Sequence, residues 1–114
     1  VNTERKKAGL TELTWDDTVA TAAMTRSKEI EKSFSHTRPD GRNFGTAITD
    51  LGITYRGAGE NIAWGQKTPE AVMNAWMNSE GHRANILNPN FKKLGVGYRT
   101  DSQRTPYWTQ LFTY

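Results

Sequence analysis

Two histidines and two glutamates are the side chains of this sequence best suited to chemistry: His36, Glu60, Glu80 and His82. Neutral imidazole nitrogens and carboxylate oxygens are ligands that suit zinc and related divalent cations. The same groups can exchange protons near neutral pH. Because none of the 114 residues is a cysteine, the chain has neither a thiol nucleophile nor a thiolate metal site. The pattern indicates a shared cation or acid–base site built from residues far apart in the sequence.

Each of these four residues also has a structural explanation, and the sequence alone leaves the choice open. His36 could cap the end of a helix, and His82 could satisfy a backbone group or a nearby carboxylate. Glu60 could accept hydrogen bonds in a turn, and Glu80 could interact favourably with the positive end of the helix dipole at a helix start. On a helix, Glu80 and His82 would point about 200° away from each other. Glu80 is therefore the weakest candidate.

The polar residues beside these candidates are expected to support the site rather than to react. Asn61 and Asn85 each lie within three residues of a candidate, but an amide cannot exchange protons usefully near neutrality. Ser35 and Ser79 lie near the histidines, yet a catalytic serine needs a base that a third group positions. We expect both serines to act as caps.

Several function classes are not indicated by the sequence. It contains no phosphate-binding loop, nucleophile elbow, dinucleotide fingerprint or zincin histidine pair. The net charge of +3 comes from basic residues scattered among acids, whereas a nucleic-acid surface would cluster them. No apolar run reaches membrane length. Since the chain begins at Val1, we expect a single domain, residues 1–114, excised from a longer secreted protein.

Helical periodicity and turn signals predict the elements that hold the first two candidates. Asp16 should cap a long helix that runs to about Ser33, with apolar positions that continue at helical spacing as far as Phe34. His36 then lies in the polar loop that follows. The stretch Gly57–Gly65 is expected to be a strand on which Glu60 shares a face with apolar residues.

The central stretch from Trp76 to Pro89 holds the other two candidates. Ser79 should cap a short helix there, and Trp76, Ile86 and Leu87 should be buried anchors that fix the stretch to the core.

Further elements complete a predicted α+β fold with helices on both sides of a small antiparallel sheet. They are a short helix closed by Gly9, a helix from about Asn43 to Leu51, a helix opened by Thr68-Pro69-Glu70, and a hairpin of strands at Leu94–Tyr98 and Tyr107–Phe112.

Four motifs, in this order, resemble those of the bacterial branch of the CAP superfamily. These SCP-domain proteins are related to cysteine-rich secretory proteins, antigen 5 and plant pathogenesis-related proteins. The motifs are Phe34–Arg42, Gly59–Ala63, Trp76–Leu87, and Gly95–Gly97 together with Tyr107–Gln110. The resemblance implies an α-β-α sandwich, secretion or display at the cell surface, and a cleft of two histidines and one or two acids that holds a divalent cation in several relatives.

Carried over by resemblance, His36 matches the first cleft histidine and Glu60 matches the glutamate of the Gly-Glu-Asn motif. Animal and plant members carry their second histidine on a late strand that has none here, so His82 is expected to serve instead. The second family acid falls at the position of Ser79. The resemblance thus implies a cation site of His36, Glu60 and His82, with zinc favoured, and with a coordination position left for water.

The resemblance does not decide the function, because relatives are linked to proteolysis, to lipid or sterol binding, and to signalling. We expect a monomeric, secreted binding or interaction module with a cation site, whose ligand is a protein, a peptide or a lipid. The alternative is a metal-dependent hydrolase that acts on peptides or cell-wall material.

Overall fold

The computed structural model describes all of residues 1–114 and contains five helices and a four-stranded sheet. The helices are α1 (Asn2–Lys7), α2 (Asp17–Lys32), α3 (Thr46–Thr49), α4 (Pro69–Met77) and α5 (Glu80–Ile86). The strands are β1 (Thr14–Trp15), β2 (Ala58–Trp64), β3 (Lys93–Thr100) and β4 (Pro106–Thr113). Their order in the sheet is β1-β3-β4-β2, with antiparallel pairs except between β1 and β3.

The register of β2 and β4 decides which side chains face which layer of helices. Glu60 lies opposite Leu111, and Asn61 lies opposite Gln110. Because successive side chains on a strand point to opposite faces, Glu60 and Leu111 share the face that packs on α2 and α3. Asn61 and Gln110 share the other face, towards α4 and α5. The predicted α-β-α sandwich is confirmed.

A separate apolar cluster lies on each side of the sheet. The cluster on the α2 side consists of Val19, Ala22, Ala23, Ala47, Ile48 and Leu111. The cluster on the α4 and α5 side is larger and consists of Leu13, Ala63, Val72, Trp76, Ile86, Phe91, Leu94, Trp108 and Phe112. Trp76 and Ile86 are buried as predicted, and Leu87 is half-buried against the same cluster.

Helix α2 approaches β3 closely enough to require glycine at two positions. A β-carbon built on Gly95 would overlap backbone atoms of Val19 and Ala20, and one built on Gly97 would overlap the backbone of Ala23. Glycine in a strand often marks such a close approach of another backbone. The Gly-Val-Gly motif therefore sets the distance between this helix and the sheet.

The structure confirms the predicted caps of two helices. Asp16 accepts hydrogen bonds from the backbone N–H groups of Thr18 and Val19, and Thr68 accepts one from Ala71.

None of the five helices combines the length and the apolar character that crossing a membrane requires.

Three expectations differ from the structure. The sheet is mixed rather than wholly antiparallel, because the two-residue β1 pairs in parallel with β3 and is too short to leave a periodic pattern. The helix expected from Asn43 to Leu51 is limited to α3, since Asn43 instead forms a bridge with Thr37 and accepts a hydrogen bond from the Gly45 N–H. Phe34 does not continue the buried stripe of α2; it lies beyond the helix end and is half exposed.

Candidate functional site

A cleft of about 530 Å³ lies beside the end of β2, where the segment after α2 faces the junction of α4 and α5. His36 enters from the first side and His82 from the second, so the structure brings the two histidines to one cavity. The residues that line it are Phe34, Ser35, His36, Ile62, Ala63, Trp64, Gln66, Ala75, Trp76, Ser79 and His82.

Glu60 orients His36 from below the cleft. The Nδ1 atom of His36 lies 2.8 Å from Oε1 of Glu60, and the Glu60 side chain is fully buried. With the imidazole neutral, Nδ1–H donates to the carboxylate and Nε2 keeps the lone pair. A carboxylate that fixes an imidazole in this way is a common partner of metal-binding histidines. The imidazole itself is 58% exposed, so Nε2 is the nitrogen available to a ligand.

Arg26 neutralises the buried charge of Glu60. Its Nε lies 2.7 Å from Oε2 of Glu60, its Nη2 lies 3.1 Å from Oε1, and its side chain is fully buried. This two-point contact matches the planar guanidinium to the carboxylate. Arg26 also donates to Glu29 and to the carbonyl of Ser35, next to His36. Burial disfavours the charge of Arg26, but hydrogen bonds with Glu60 and Glu29 raise its pKa above the ordinary value.

Arg26 was not among the residues singled out from the sequence, although a signal for it exists. It lies three residues after Ala23 and four before Ile30, and both of these are buried. Helical spacing therefore places Arg26 on the buried stripe of α2. An arginine at such a position needs a buried acid as partner, and the buried strand β2 carries one, Glu60.

Glu29 extends the ion pairs from Arg26 towards the surface. Its carboxylate accepts hydrogen bonds from Arg26 and from Arg38, which in turn donates to Asp50 at the C-terminal end of α3. Burial acts to raise the pKa of Glu29, but the hydrogen bonds from Arg38 and Arg26 outweigh it and lower that pKa. The network fixes the segment that carries His36 to the end of α2.

The lowered pKa of Glu29 predicts a loss of stability in acid. A carboxyl whose pKa is lower in the folded than in the unfolded state stabilises the fold above its unfolded pKa, about 4.3 for glutamate. That stabilisation disappears as the pH falls through the folded pKa. In urea unfolding of wild type and Glu29→Gln, we expect a difference in unfolding free energy at pH 7 that shrinks by pH 3. Glu12→Gln, at an exposed carboxylate, is the control; an equal Glu29→Gln effect at both pH values would contradict the assignment.

His82 is held by Ser79 rather than by a carboxylate. Its Nδ1 lies 2.7 Å from Oγ of Ser79, three residues earlier at the start of α5. Ser79 occupies the predicted N-cap position, but its hydroxyl accepts no hydrogen bond from a helix N–H and lies instead against the imidazole of His82. Burial lowers the pKa of His82, and the charge of the nearby His36 lowers it further. His82 therefore stays neutral, and able to act as a ligand, in more acidic solution than a free histidine.

Asn61 and Asn85 tie α5 to β2 beneath the cleft. The side-chain amide of Asn61 donates to the carbonyl of His82 and to Gln110, at 3.1 Å each. Asn85 donates to the Asn61 side chain at 2.9 Å and to the carbonyl of Glu60 at 3.2 Å. Both asparagines thus position backbone around Glu60 and His82.

The three-ligand cation site expected from the resemblance is not assembled. No group of three or more His, Asp or Glu side chains is arranged to hold one metal ion. Both oxygens of Glu60 already accept hydrogen bonds, from Arg26 and His36. Glu80 is exposed on α5 and does not line the cleft, as the helix geometry indicated. The side chains that remain at the cleft to coordinate a cation are the imidazoles of His36 and His82.

Comparisons with known proteins agree with this architecture. Residues 1–112 match the family model described as CAP, the cysteine-rich secretory protein family. The chain is 48% identical over 113 residues to the uncharacterized protein YkwD of Bacillus subtilis. The matched region covers 97% of this chain and 43% of YkwD.

Solved structures show the same fold. An extracellular protein from Bacillus anthracis that contains an SCP domain superposes with a TM-score of 0.90 at 35% identity, over 98% of this chain and 37% of that one. An outer surface protein of Borrelia burgdorferi superposes with a TM-score of 0.89 at 24% identity, over 98% of this chain and 84% of that one. The chain thus spans about two fifths of YkwD and of the Bacillus anthracis protein. It belongs to the CAP family, the cysteine-rich secretory protein family.

Proposed function

We propose that this chain is an extracellular binding module whose cleft holds its ligand through a divalent cation bound by His36 and His82. The observation that carries the proposal is the matched state of the two imidazoles. Each lines the same cleft, and each has its Nδ1 engaged by an oxygen of the chain, Glu60 for one and Ser79 for the other. When Nδ1 carries the ring proton, as the Glu60 carboxylate requires at His36 and the Ser79 hydroxyl accommodates at His82, Nε2 of each ring is left to bind.

Two protein ligands define an open site. Structural zinc sites use four protein ligands and catalytic sites use three. With two imidazoles bound to the cation, its remaining coordination positions belong to water and to the molecule that the module binds. We therefore expect the cation to bind reversibly. When bound, the cation supplies a positive centre that attracts an anionic or electron-rich group of the ligand. Glu60 and Ser79 keep the two rings oriented for it.

Further contacts for the ligand come from the cleft walls. Phe34, Trp64 and Trp76 all line the cleft; the first two are exposed and Trp76 is buried. Gln66 also lines the cleft, and its side-chain oxygen is buried without a hydrogen-bond partner in the chain. A buried acceptor of this kind is normally satisfied, so a ligand N–H or O–H suits it. The walls combine apolar contact with a few placed polar groups, as small-ligand sites do.

The geometry favours binding over the alternative, a metal-dependent hydrolase. Hydrolysis needs a general base within hydrogen-bond reach of the attacking water. The nearest carboxylate, Glu60, is already bound by Arg26 and His36 below the cleft. No aspartate or glutamate lines the cleft. Peptide mixtures incubated with the zinc-loaded domain should therefore stay intact by mass spectrometry; cleavage that disappears in both histidine variants would favour the hydrolase.

The description of one relative supports the proposed location. The Bacillus anthracis protein, 35% identical over 98% of this chain, is an extracellular protein. An extracellular location for this chain is part of the proposal, and fractionation of the producing cell with antibody to the domain tests it.

Calorimetric titration of zinc into the chelator-treated domain tests the cation site. Wild type should bind at neutral pH, and His36→Ala or His82→Ala should weaken binding at least about tenfold, which is about 1.4 kcal/mol. Glu80→Gln is the matched control, because it removes an exposed carboxylate two residues from His82 without touching the cleft. No heat of binding by wild type, or equal binding by the His82 variant, would leave the cleft without a cation site.

A further inference from the structure

The outer edge of β2 carries free backbone groups, because β2 is an end strand of the sheet and pairs only with β4. Gly57 and Tyr114 exchange two backbone hydrogen bonds at one end of this pair, and the N–H of Gly65 donates to the carbonyl of Pro106 at the other. In an antiparallel pair, residues alternate between facing the partner strand and facing away from it. The even-numbered residues of β2 therefore turn their N–H and C=O groups to the open edge.

Two of these edge carbonyls are used by side chains of the chain itself. Asn85 donates to the carbonyl of Glu60 at 3.2 Å. The indole N–H of Trp76 donates to the carbonyl of Ile62, also at 3.2 Å. The N–H of Ile62 and both backbone groups of Trp64 form no hydrogen bond. Backbone groups of a buried residue are normally paired, and Ile62 is only 6% exposed. Three neighbouring groups on one edge are therefore left for a partner outside the chain.

The histidine cleft opens on this same edge. Ile62 and Trp64 point their side chains to the face of Glu60, and Ala63 points its side chain to the opposite face. Ile62, Ala63 and Trp64 all line the cleft. Since the cleft touches both faces of β2, it follows the edge of the strand.

The two histidines flank the edge closer to the start of β2. His36 contacts the side chain of Glu60 on one face. The carbonyl of His82 accepts from the side chain of Asn61 on the other face. The free backbone groups begin with the next residue, Ile62. A strand laid along the edge would therefore have one end at the two imidazoles.

We propose that the cleft binds the C-terminal end of an extended peptide, which pairs with the edge of β2 as an additional antiparallel strand. This inference rests on the function proposed above, because the cation at the histidines attracts the terminal carboxylate. An antiparallel direction is required, since it places the carboxyl end of the peptide towards the start of β2. In strand addition of this kind, main-chain hydrogen bonds supply affinity and alternate side chains supply specificity.

The free groups fix the register of the added strand. The peptide residue opposite Trp64 donates its N–H to the Trp64 carbonyl and accepts from the Trp64 N–H. Two residues later, a peptide carbonyl accepts from the N–H of Ile62, and one further residue carries the terminal carboxylate. Directly paired residues have their side chains on the same face. Apolar side chains therefore suit the peptide positions beside Trp64 and Ile62, where the exposed Phe34 also lines the cleft.

A peptide built to this register, acetyl-Ala-Ile-Ala-Val-Ala with a free C-terminal carboxylate, is the probe. It is titrated into the zinc-loaded domain, and amide exchange is followed residue by residue by NMR. The amides of Ile62 and Trp64 should exchange at least about tenfold more slowly when the peptide binds. Those of Asn61 and Ala63 should change less, because they already donate to β4.

N-methylated peptides test the strand pairing on the ligand side. N-methylation of the peptide isoleucine removes the N–H that pairs with Trp64 and should weaken binding at least about tenfold. N-methylation of the alanine that follows it is the matched control, because that N–H points away from β2, and binding should change little. Equal binding of the two methylated peptides would overturn the proposal.

A pair of substitutions at Trp64 tests the same contact on the protein side. Trp64→Pro removes the outward N–H, and proline is tolerated on an edge strand where that group faces out. Trp64→Val removes the indole but keeps the N–H. We expect Trp64→Pro to bind the peptide at least about tenfold more weakly than Trp64→Val. Equal affinities of the two variants would contradict pairing at Trp64.

Zinc separates this inference from the function on which it rests. Zinc binding without peptide binding would overturn the strand addition and leave the cation site standing. Equal peptide binding with and without zinc, with slowed exchange at Trp64, would support the strand addition and contradict the role of the cation. Binding of laurate in place of the peptide, with exchange at Ile62 and Trp64 unchanged, would overturn the proposal by identifying a lipid as the occupant.

Discussion

Arg26→Met should lower the free energy of unfolding by about 3–5 kcal/mol, because it leaves the carboxylate of Glu60 buried without its cation. The Glu60 side chain is fully buried, and the exposed imidazole of His36 is the one other side chain that contacts its oxygens. Removing one partner of a buried pair costs far more than the net value of the pair, since the remaining charge stays desolvated. Urea unfolding at pH 7 measures the loss.

A double variant distinguishes the buried charge from the lost volume of Arg26. Arg26→Met combined with Glu60→Leu removes both charges, and we expect it to recover part of the stability lost in the single variant. Arg26→Lys keeps a charge but loses the two-point contact, and it should fall between Arg26→Met and wild type. A loss below about 1 kcal/mol in Arg26→Met would show that water reaches Glu60, against the burial described here.

Trp76→Ala should cost about 3–5 kcal/mol, the range for truncating a large buried aromatic. Trp76 is 3% exposed within the larger apolar cluster, and its indole N–H donates to the carbonyl of Ile62 at 3.2 Å. The substitution opens a cavity and also leaves that carbonyl on the edge strand without its partner. Because Trp76 also forms a wall of the histidine cleft, zinc binding should weaken with it.

Trp64→Ala is the matched control, since it makes the same substitution on a side chain that is 57% exposed. Surface substitutions usually change stability by no more than about 0.5 kcal/mol. Trp76→Phe keeps the fold measurable if the alanine variant does not fold, and it should lose less. Similar losses at Trp76 and Trp64 would contradict the assignment of Trp76 as a core anchor.

Local sequence patterns were sufficient for most of the elements and failed where contacts are distant in sequence. Asp16 and Thr68 are caps because their side chains reach N–H groups within three residues, and such contacts are visible in the sequence. Strand β1 was missed because two residues carry no period, and its existence depends on β3, nearly 80 residues away. Ser79 lies at the predicted cap position, but the hydrogen bond between its hydroxyl and His82 could not be read from helix rules.

The sequence by itself determined the α-β-α arrangement, because apolar periodicity, caps and turn residues are local properties, and it identified His36, Glu60 and His82 through their types and motifs. The family resemblance already implied that the two histidines share a cleft; only the tertiary structure decided that Glu60 lies beneath it, with its oxygens bound by Arg26 and His36. That outcome depends on the register of β2 against β4 and on the close packing of α2 over Gly95 and Gly97. A shift of the register by one residue would turn Glu60 to the opposite face.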